Sequence, residues 1–412
     1  MGKRITILAL GSRGDVQPLV ALGHALQVNG HAVRVATFES FRELVTGTGL
    51  GFHPVPGDAR GLVEMASSGG MTSRNPITMI RGIQHSYGAI VADYVESFSD
   101  GALSDSEAVI NQLPGGLFGR DLAEKLGVPH ITAAVIPLLA THAFPMPLLL
   151  ARSTPGISNR WTYIAAEQLF WLFFRRATNT FRKRLGLGQA PLVYHPPNSP
   201  TLLGFSPLVI PPPPDWAAQV YTTGWWMLEE PAWAPPPELA AFLEAGPPPV
   251  FIGFGSMVAP DPAALTDLLR EALTLTGMRA VLSRGWAGLG GAHLPATIYA
   301  LDYAPYSWLF PRMAAVVHHG GSGTTGFALH SGVPSLVVSF AADQPFWGWR
   351  TAELGVGLPP IPVKEITAQQ LASALDRLTS DASLHEHAQR LSEALRHENG
   401  LASAVELINA LI

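Results

Sequence analysis

Short apolar runs alternate along the chain with stretches that repeat apolar positions every three or four residues. The run at residues 5–10 predicts a buried strand, and residues 16–30 predict a helix with Pro18 near its start and Gly30 at its end. Further apolar runs of the first half predict strands over residues 31–38, 108–113 and 130–136. Continuously apolar strands separated by helices are typical of a parallel sheet covered on both faces.

Proline is concentrated in residues 207–249, which therefore predict a connection and not a central strand. After it the alternation restarts. The second set of predicted strands covers residues 250–257, 279–286, 297–305, 314–319 and 335–340. The fold class predicted from this pattern is α/β, with two Rossmann-like, doubly wound parallel-sheet domains facing a cleft in which a ligand would bind.

The predicted domain boundaries follow the same changes along the chain. Residues 1–210 form the first domain, residues 211–245 the proline-rich linker, and residues 246–385 the second domain. Residues 386–412 are predicted to be helical and to pack back toward the first domain.

Composition narrows the functional classes. Of 412 residues, 47% are apolar and 14% are charged, which argues against disorder along the whole chain. The formal net charge of −5 argues against a nucleic-acid-binding protein, and the lack of cysteine excludes disulfides, thiolate metal sites and a cysteine nucleophile. Because no run of about eighteen apolar residues occurs, we expect no transmembrane segment and a cytoplasmic protein.

The strand predicted over residues 314–319 ends in the turn HHGGSGTTG, which opens a helix. Gly321, Gly323 and Gly326 have the spacing G-x-G-x-x-G, which lets backbone N–H groups and a helix dipole hold a phosphate. Asp343 follows twenty residues after Gly323, where an NAD site has its ribose-binding acid. The turn predicts phosphate binding or, alternatively, only a tight connection. Its hydroxyl donors are Ser322, Thr324 and Thr325.

The stretch GSRGDVQP places Asp15 where the first predicted strand ends and the first helix begins. A carboxylate there could act as a general base facing the cleft. It could equally be a helix N-cap, since aspartate is favoured at that position.

Two further turns of the second domain carry candidate binding residues. Gly255 and Ser256, in FGSM, could offer backbone and hydroxyl donors to an anion, or could form an ordinary turn. Trp286, in SRGW, could stack on a flat base or cover the edge of the core. Its neighbour Arg284 could bind there too or be a solvated charge.

An acid and an amide stand side by side in ADQPFWGWR. Asp343 and Gln344 together can accept and donate hydrogen bonds, which suits the hydroxyls of a sugar. Alternatively, Asp343 caps the helix that Pro345 begins. The chain has no D-x-D pair of the kind that holds a metal ion against a diphosphate, so a departing diphosphate would need fixed protein donors.

Residues 161–184 are rich in aromatic side chains and end in basic ones. This segment predicts a helix that lines an apolar acceptor pocket or touches a membrane surface weakly, or else a helix packed in the core with a basic, solvated end. The residues chosen as the candidate acceptor pocket are Phe144, Trp161, Phe170 and Trp171.

As a set, GSRGDVQP, FGSM, SRGW, HHGGSGTTG and ADQPFWG resemble the nucleotide-sugar-dependent glycosyltransferases of the GT-B fold, in content and in order. The likeness spans nearly the whole chain. It is strongest to the branch that includes sterol glucosyltransferases and the glycosyltransferases of antibiotic biosynthesis. The resemblance implies a first domain that binds the acceptor and a second domain that binds the donor.

The resemblance also implies a role for each matched residue. Asp15 would be the catalytic base. The donor diphosphate would be bound by Gly255, Ser256, His319, Gly321, Ser322, Gly323 and Thr324. The nucleoside would be bound by Arg284, Trp286 and Tyr303, and the donor sugar by Asp343 and Gln344.

The implied reaction is an inverting, metal-independent transfer of a hexose, with glucose as the first choice. The co-substrate would be a UDP-sugar or a dTDP-sugar, the acceptor a lipophilic sterol-like, polyketide or phenolic hydroxyl, and no cofactor or bound metal is expected. The chain departs from the plant enzymes at two places. They have histidine where this chain has Asp15, and a ribose-binding glutamate where this chain has Phe327.

Three other functions remain open at this point. One is a nucleotide-sugar epimerase of GT-B-like fold, which would share the donor site. Another is an NAD-dependent oxidoreductase built on residues 321–326. The third is a non-catalytic sensor of nucleotide sugars.

Overall fold

The structure is a computed structural model that describes residues 2–61, 97–98, 101–113, 118–149, 156–194, 198–230, 233–259, 261–290 and 294–412. The chain divides into two compact units. The first comprises Met1–Met146, Ser153–Leu228 and Asn399–Ile412, and the second comprises Pro147–Arg152 and Glu229–Glu398. The predicted proline-rich linker is divided between them after Leu228.

The first unit is built on a parallel sheet. Its described strands are β1 (Arg4–Leu8), β2 (Ala32–Phe38), β3 (Gly51–Val55), β4 (Ala108–Leu113), β5 (His130–Ala134), β6 (Thr201–Leu203) and β7 (Val220–Thr222). Their order across the sheet is β3-β2-β1-β4-β5-β6-β7. The short strand β7 lies inside the proline-rich stretch and takes the edge position beside β6, where prolines around a strand are tolerated.

Helices connect these strands. The helices described in the first part of this unit are α1 (Arg13–Val28), α2 (Arg42–Thr46), α3 (Gly119–Leu126) and α4 (Ile157–Arg184). A capping box between Ser12 and Asp15 starts α1, and the chain leaves it through Asn29 and Gly30, which has a φ of 91°.

The second unit repeats the arrangement. Its described strands are β8 (Val250–Gly253), β9 (Ala280–Ser283), β10 (Ile298–Leu301), β11 (Ala315–His318), β12 (Ser335–Ser339) and β13 (Gly357–Pro362). They run parallel in the order β10-β9-β8-β11-β12-β13. Its described helices are α5 (Pro237–Glu244), α6 (Pro262–Thr276), α7 (Tyr306–Leu309), α8 (Ser322–Ser331), α9 (Gln344–Glu353), α10 (Ala368–Ser380) and α11 (Ala382–Arg396).

The core of the second unit lies on both faces of its sheet, because alternate residues of each strand point to opposite sides. Ile252 and Val317 pack with Leu269 of α6 and Leu375 of α10 in one cluster. Phe251, Val281 and Val316 pack in another cluster with Leu239 of α5, Leu309 of α7 and Ala328 of α8. The continuously apolar strands predicted for a doubly wound sheet are therefore confirmed, and so is the α/β fold class.

The last helix, α12 (Gly400–Leu411), belongs to the first unit. Asn409 Oδ1 lies 2.7 Å from His31 Nε2. The backbone of Gly400 lies so close to that of Gly224 and Trp225 that a Cβ would stand 2.6 Å from their atoms. The chain thus returns to the first sheet after α11.

In each unit the strand that comes first in the sequence lies inside the sheet, and the chain adds later strands on one side of it and then on the other. In the first unit β1 lies between β2 and β4, and in the second unit β8 lies between β9 and β11. The loops that leave the carboxyl ends of neighbouring strands diverge at such a point and open a crevice. Candidate residues at these carboxyl ends are therefore the ones positioned for ligand binding.

Candidate active site

All the residues predicted to bind the donor lie in loops at one edge of the second sheet. Gly255 and Ser256 follow β8, Arg284 and Trp286 follow β9, and Tyr303 follows β10. The remaining ones follow β11 and β12 and reach the starts of α8 and α9: His319, Gly321, Ser322, Gly323, Thr324, Asp343 and Gln344. The parallel order of the strands thus brings together residues that are up to 89 positions apart in sequence, from 255 to 344.

Contacts join these loops into one surface. The imidazole of His319 lies between two glycines. A Cβ on Gly255 would stand 3.1 Å from His319 Cε1, and one on Gly321 would stand 2.5 Å from His319 Nε2. The backbone N–H of Trp286 donates to the carbonyl oxygen of Gly255 over 2.9 Å. A side chain at Gly321 would have to displace the histidine, and one at Gly255 would crowd it and would also meet the strain of a φ of 56°.

The start of α8 has the geometry of an anion site. Gly321 is its N-cap residue, and its first turn contains no acidic residue. The backbone N–H and the hydroxyl of Thr325 both donate to the Gly321 carbonyl, over 2.9 and 3.0 Å. The N–H groups of Ser322, Gly323 and Thr324 come first in the helix, where no preceding turn supplies a carbonyl acceptor. Such a helix start attracts negative charge through its free donors and its dipole.

Three buried polar atoms around this helix start have no hydrogen-bond partner among the described residues: His318 Nε2, His319 Nδ1 and Ser322 Oγ. Leaving a buried polar atom unpaired costs about 1–3 kcal/mol. Three such atoms within five residues of the sequence therefore indicate a polar ligand that would pair with them.

Burial keeps both histidines neutral. It lowers the pKa of His319 to about 4, and it lowers the pKa of His318, which also faces His319, to about 3. His318 Nδ1 accepts the N–H of Gly320 over 3.1 Å, so the proton of the neutral ring belongs on the unpaired Nε2. A buried N–H donor thus stands at His318, a residue to which the sequence assigned no role.

The acid–amide pair is held by contacts within the unit. Asp343 Oδ2 accepts the indole N–H of Trp347 over 2.8 Å. Gln344 Oε1 accepts the N–H groups of Phe340 and Ala341 over 2.7 and 3.1 Å, and its Nε2 lies 2.9 Å from Met257 Sδ. Both side chains are buried and fix the turn that precedes α9. Their role in binding a sugar stays a prediction.

The predicted nucleoside residues occupy three neighbouring loops. Arg284 is exposed; its Nε lies 3.1 Å from Asp302 Oδ1 and its Nη1 donates to the Gly290 carbonyl over 3.0 Å. Tyr303 is 41% exposed, and its hydroxyl is hydrogen-bonded to the Glu230 carboxylate. Trp286 is half-buried. The structure thus places all three at the same edge of the sheet.

In the first unit, Asp15 lies in the first turn of α1, directly after β1. Its Oδ2 accepts the backbone N–H and the hydroxyl of Ser12 over 2.8 and 2.9 Å. Its Oδ1 accepts Gln112 Nε2, at the end of β4, over 3.1 Å. The N-cap residue is Ser12 and not Asp15, although the carboxylate does complete the capping box. Gly11, with a φ of 140°, makes room for this carboxylate, since a Cβ there would stand 2.5 Å from Asp15 Oδ2.

Burial raises the pKa of Asp15 above its usual value, and the hydrogen bonds from Ser12 and Gln112 partly oppose that rise. A raised pKa makes a carboxylate a stronger base. The side-chain amide oxygen of Asn111, the residue before Gln112 on β4, is hydrogen-bonded to His130 Nε2. Adjacent residues of a strand point to opposite faces, and this alternation is the signal that could have found Gln112.

The four residues of the predicted acceptor pocket differ in their contacts and exposure, and their role in binding an acceptor stays a prediction. Phe144 packs edge-to-face on Trp216, with ring centroids 6.5 Å apart. Trp161 is 63% exposed on α4, whereas Phe170 packs on Phe174 with ring centroids 4.3 Å apart. Trp171 donates from Nε1 to the Pro191 carbonyl over 3.1 Å. Parts of the predicted acceptor region, residues 62–96, 99–100, 114–117 and 150–155, lie outside the described residues.

The described residues contain neither a cluster suited to a metal ion nor a membrane-spanning helix. No group of three or more histidine, aspartate or glutamate side chains there is arranged to hold a metal ion. No helix in the described ranges is long and apolar enough to cross a membrane.

Sequence families match both halves of the chain. Residues 5–145 match the family described as "Glycosyltransferase family 28 N-terminal domain". Residues 286–408 match the family described as "Erythromycin biosynthesis protein CIII-like, C-terminal domain". A sterol 3-beta-glucosyltransferase of Arabidopsis thaliana is 36% identical to the chain, over 98% of this chain and 67% of the relative. The chain belongs to this glycosyltransferase family.

Other members of the family are longer than the chain. A sterol 3-beta-glucosyltransferase of Cryptococcus neoformans is 35% identical over 98% of this chain, which spans only 27% of the length of that relative. The solved structure of the glycotransferase of kitacinnamycin has the same fold, with a TM-score of 0.71, 19% identity, and coverage of 100% of this chain and 99% of the other. The GT-B fold implied by the sequence motifs is therefore confirmed.

Membership in this glycosyltransferase family also bears on the alternatives. The glycine spacing Gly321, Gly323, Gly326 predicted an NAD site only by analogy with another βα turn. Because the chain belongs to a glycosyltransferase family, the oxidoreductase interpretation loses its support.

Proposed function

We propose that this glycosyltransferase transfers a hexose, with glucose as the first choice, from a UDP-sugar to a hydroxyl of a lipophilic small molecule. The transfer inverts the anomeric centre, uses Asp15 as the base and needs no metal ion. The observation that carries the proposal is the group of three unpaired buried atoms at the start of α8, at His318, His319 and Ser322.

The donor diphosphate would lie against that helix start. The N–H groups of Ser322, Gly323 and Thr324 would face its oxygens, and the neutral imidazole of His319 would donate a hydrogen bond. As the bond between the anomeric carbon and the diphosphate breaks, the leaving oxygen takes the electron pair. Fixed donors and the helix dipole would stabilise that charge without reorganisation.

The acceptor is activated in the same step. Its oxygen forms the new bond to the anomeric carbon, and its proton passes to a carboxylate oxygen of Asp15. A single displacement of this kind inverts the configuration at the anomeric carbon. The raised pKa of Asp15 supports this role, because a usual aspartate would be a weak base toward an alcohol.

The acceptor class follows from the relatives. The family members named above are sterol 3-beta-glucosyltransferases. We therefore place a sterol first among the acceptors to test, followed by polyketide alcohols and phenols.

The experiment is release of free UDP from UDP-glucose over this panel of acceptors, with EDTA present, for the wild type and Asp15→Asn. We expect acceptor-dependent release that survives EDTA and falls by roughly 10³-fold in the variant. The same panel with dTDP-glucose compares the two nucleotides. Product stereochemistry, read by NMR, tests inversion.

Each part of the proposal has its own contradicting result. Equal release by wild type and Asp15→Asn would remove Asp15 from the mechanism. Loss of release in EDTA, restored by a divalent cation, would refute the metal-independent mechanism. Interconversion of UDP-sugars without any acceptor would indicate the epimerase instead.

A further inference from the structure

One face of α4 exposes apolar and basic side chains along its whole length. The outer stripe of α4 is defined here by exposed residues spaced three or four apart: Ile157, Trp161, Ala165, Leu169, Leu172, Arg176, Thr180 and Lys183. Its first half is apolar, and Ile157 and Leu172 are 74% and 68% exposed. Its second half is basic or polar. This face of the helix is therefore exposed to solvent from its first turn to its last.

The opposite face of α4 packs inward. Tyr163, Phe174 and Phe181 are buried there. Glu167 is the only acidic residue of α4 and stands four positions after Tyr163 and seven before Phe174, on that same inner face. The outer stripe therefore presents apolar groups and cations without a carboxylate.

Two cations of the stripe are free to bind an external partner. Arg176 and Lys183 form no ion pair with any described residue, whereas Arg182 is held by Asp121 and Glu124 at 2.5 and 2.7 Å. In total α4 carries six cations against one acidic residue, in a chain whose net charge is −5. This local excess of positive charge favours a partner that is negative.

A groove lies beside the basic half of the stripe. It has a volume of about 660 Å³, and Trp171, Leu172, Arg176, Lys183 and Leu187 are among the residues that line it. Leu192, in the loop that follows α4, also lines the groove and is 77% exposed. Apolar walls and cations at one rim fit the headgroup and upper chains of an anionic lipid.

We propose that the outer stripe of α4 and this groove dock the protein on an anionic phospholipid surface. Ile157, Trp161 and Leu172 would enter the interfacial region, while Arg176 and Lys183 would contact lipid phosphates. The docking deepens the proposed function and rests on it in one respect: a lipophilic acceptor would be drawn from the bilayer.

A second copy of the chain fits this surface less well. A twofold contact through α4 would set the two helices either antiparallel, so that the basic half of each stripe meets the apolar half of the other, or parallel, so that the two basic halves meet. Arg176 and Lys183 would then be buried without a counter-charge, at a cost that the apolar contact would have to overcome. A lipid surface satisfies both halves at once.

The test is flotation of the full chain, without donor or acceptor, with vesicles of phosphatidylcholine alone or with about 30 mol% phosphatidylserine. We expect binding that rises with the anionic lipid and falls with salt. Arg176→Gln/Lys183→Gln should bind the anionic vesicles roughly 30-fold more weakly. The matched control is Lys364→Gln/Arg390→Gln, which removes the same charge from the second unit and should bind as the wild type does.

A second pair of variants tests the apolar half. Ile157→Ser/Leu172→Ser should lower vesicle binding by about tenfold per side chain. The control Val28→Ser/Leu275→Ser removes two side chains that are 73% and 58% exposed elsewhere, and it should have no effect. Near-ultraviolet circular dichroism verifies that each variant is folded.

Several outcomes would overturn the docking proposal. One is equal vesicle binding by the stripe variants and their controls. Another is a concentration-dependent dimer in solution that Leu172→Ser abolishes, since this would assign the stripe to a second copy. Transfer to a water-soluble phenol separates the two proposals: vesicle binding without any transfer would refute the proposed function and leave the docking intact.

Discussion

Helix α1 follows β1 and helix α8 follows β11, and each strand lies at or next to the point where the winding of its sheet reverses. The first turns of the two helices nevertheless differ in charge. In α1 the first turn holds the carboxylate of Asp15, which Ser12 and Gln112 satisfy. In α8 the first turn has no acid, its N-cap is glycine, and the buried hydroxyl of Ser322 is unpaired within the described structure.

The difference shows how one backbone arrangement supports two chemical roles. A helix start offers N–H donors and the positive end of a dipole in both units. In the first unit the internal carboxylate of Asp15 occupies that field, and we propose that it acts as the base. In the second unit the field is left open, so that an external anion can take the same place.

The largest effect is expected from placing a carboxylate in the first turn of α8, where α1 already has one. A Cβ built on Gly323 would meet open space, so a side chain can be introduced there. Gly323→Asp should weaken UDP binding by roughly 100-fold, because it sets a carboxylate against the diphosphate. Titration calorimetry measures this loss.

The control for this substitution is Gly323→Asn, which has the same shape without the charge. Its UDP affinity should stay within a few-fold of the wild type. An equal loss of UDP affinity in both variants would mean that the size of the side chain at this position matters and that its charge at the start of α8 does not.

The two histidines before α8 should each contribute a smaller amount. His319→Leu and His318→Leu are each expected to weaken UDP binding about tenfold or more, since each removes a donor to a charged group. His→Gln at the same positions keeps an N–H donor and should recover part of the loss. An effect confined to His319 would assign His318 to the fold alone.

The lowered histidine pKa values also predict a pH dependence. With the pKa of His319 at about 4, its ring stays neutral from pH 6 to pH 8. The contribution of His319 to UDP affinity, taken as the difference between wild type and His319→Leu, should therefore be constant over that range. A contribution that grows as the pH falls toward 6 would show that the ring titrates there.

A weaker effect is expected at Gln112, which holds Asp15 in the first unit. Its hydrogen bond lowers the pKa of Asp15, so Gln112→Leu should move the acid limb of the kcat/KM profile to higher pH. Activity at pH 5 should fall on the order of threefold, with little change at pH 9. Gln112→Glu should shift the limb further, because a second carboxylate disfavours ionisation of the first.

The smallest effect concerns stability. Because burial raises the pKa of Asp15, its protonated form is the one that the fold favours; this contribution to stability is present at low pH and is lost as the pH rises through the folded-state pKa. At pH 8 the ionised carboxylate is therefore a cost to the fold. Asp15→Asn should raise Tm at pH 8 by no more than about 3 °C, while abolishing transfer.

The control is the same pair at low pH. The difference in Tm should vanish below about pH 3, where the carboxyl is protonated in the folded and unfolded chains alike. A variant that is less stable than the wild type at pH 8 would show that the hydrogen bonds of Asp15 outweigh its burial.

Much of the fold could be predicted from the sequence. The apolar runs at residues 108–113 and 250–257 predicted strands and contain β4 and β8 in the structure. Apolar runs of that length bounded by turn residues favour a buried strand over a helix. Strands β3, β6, β7 and β13 escaped prediction. Each of them is short or contains proline, so its pairing depends on neighbours that the local pattern does not name.

The candidate site was predictable in part. Asp15 and the turn from His319 to Thr324 are recognisable because their spacing after an apolar strand carries the chemistry in the sequence itself. Gln112 was not recognisable, because its role depends on a contact with Asp15, which is 97 positions away in the sequence. The unpaired nitrogen of His318 was not recognisable either, because only the folded structure shows that Gly320 pairs with one ring nitrogen and leaves the other without a partner among the described residues.

The sequence by itself determined the alternation of strands and helices, and with it the parallel sheets and the turns at their carboxyl ends. Those features follow from local periodicity and from turn chemistry, which act over a few residues. Only the tertiary structure decided that Gln112 and not Asn111 holds Asp15, that His319 lies between Gly255 and Gly321, and that the outer stripe of α4 stays exposed. These features depend on which side chains from distant parts of the sequence pack together. That packing is decided by the burial of apolar surface, which involves the whole chain and not a few neighbouring residues.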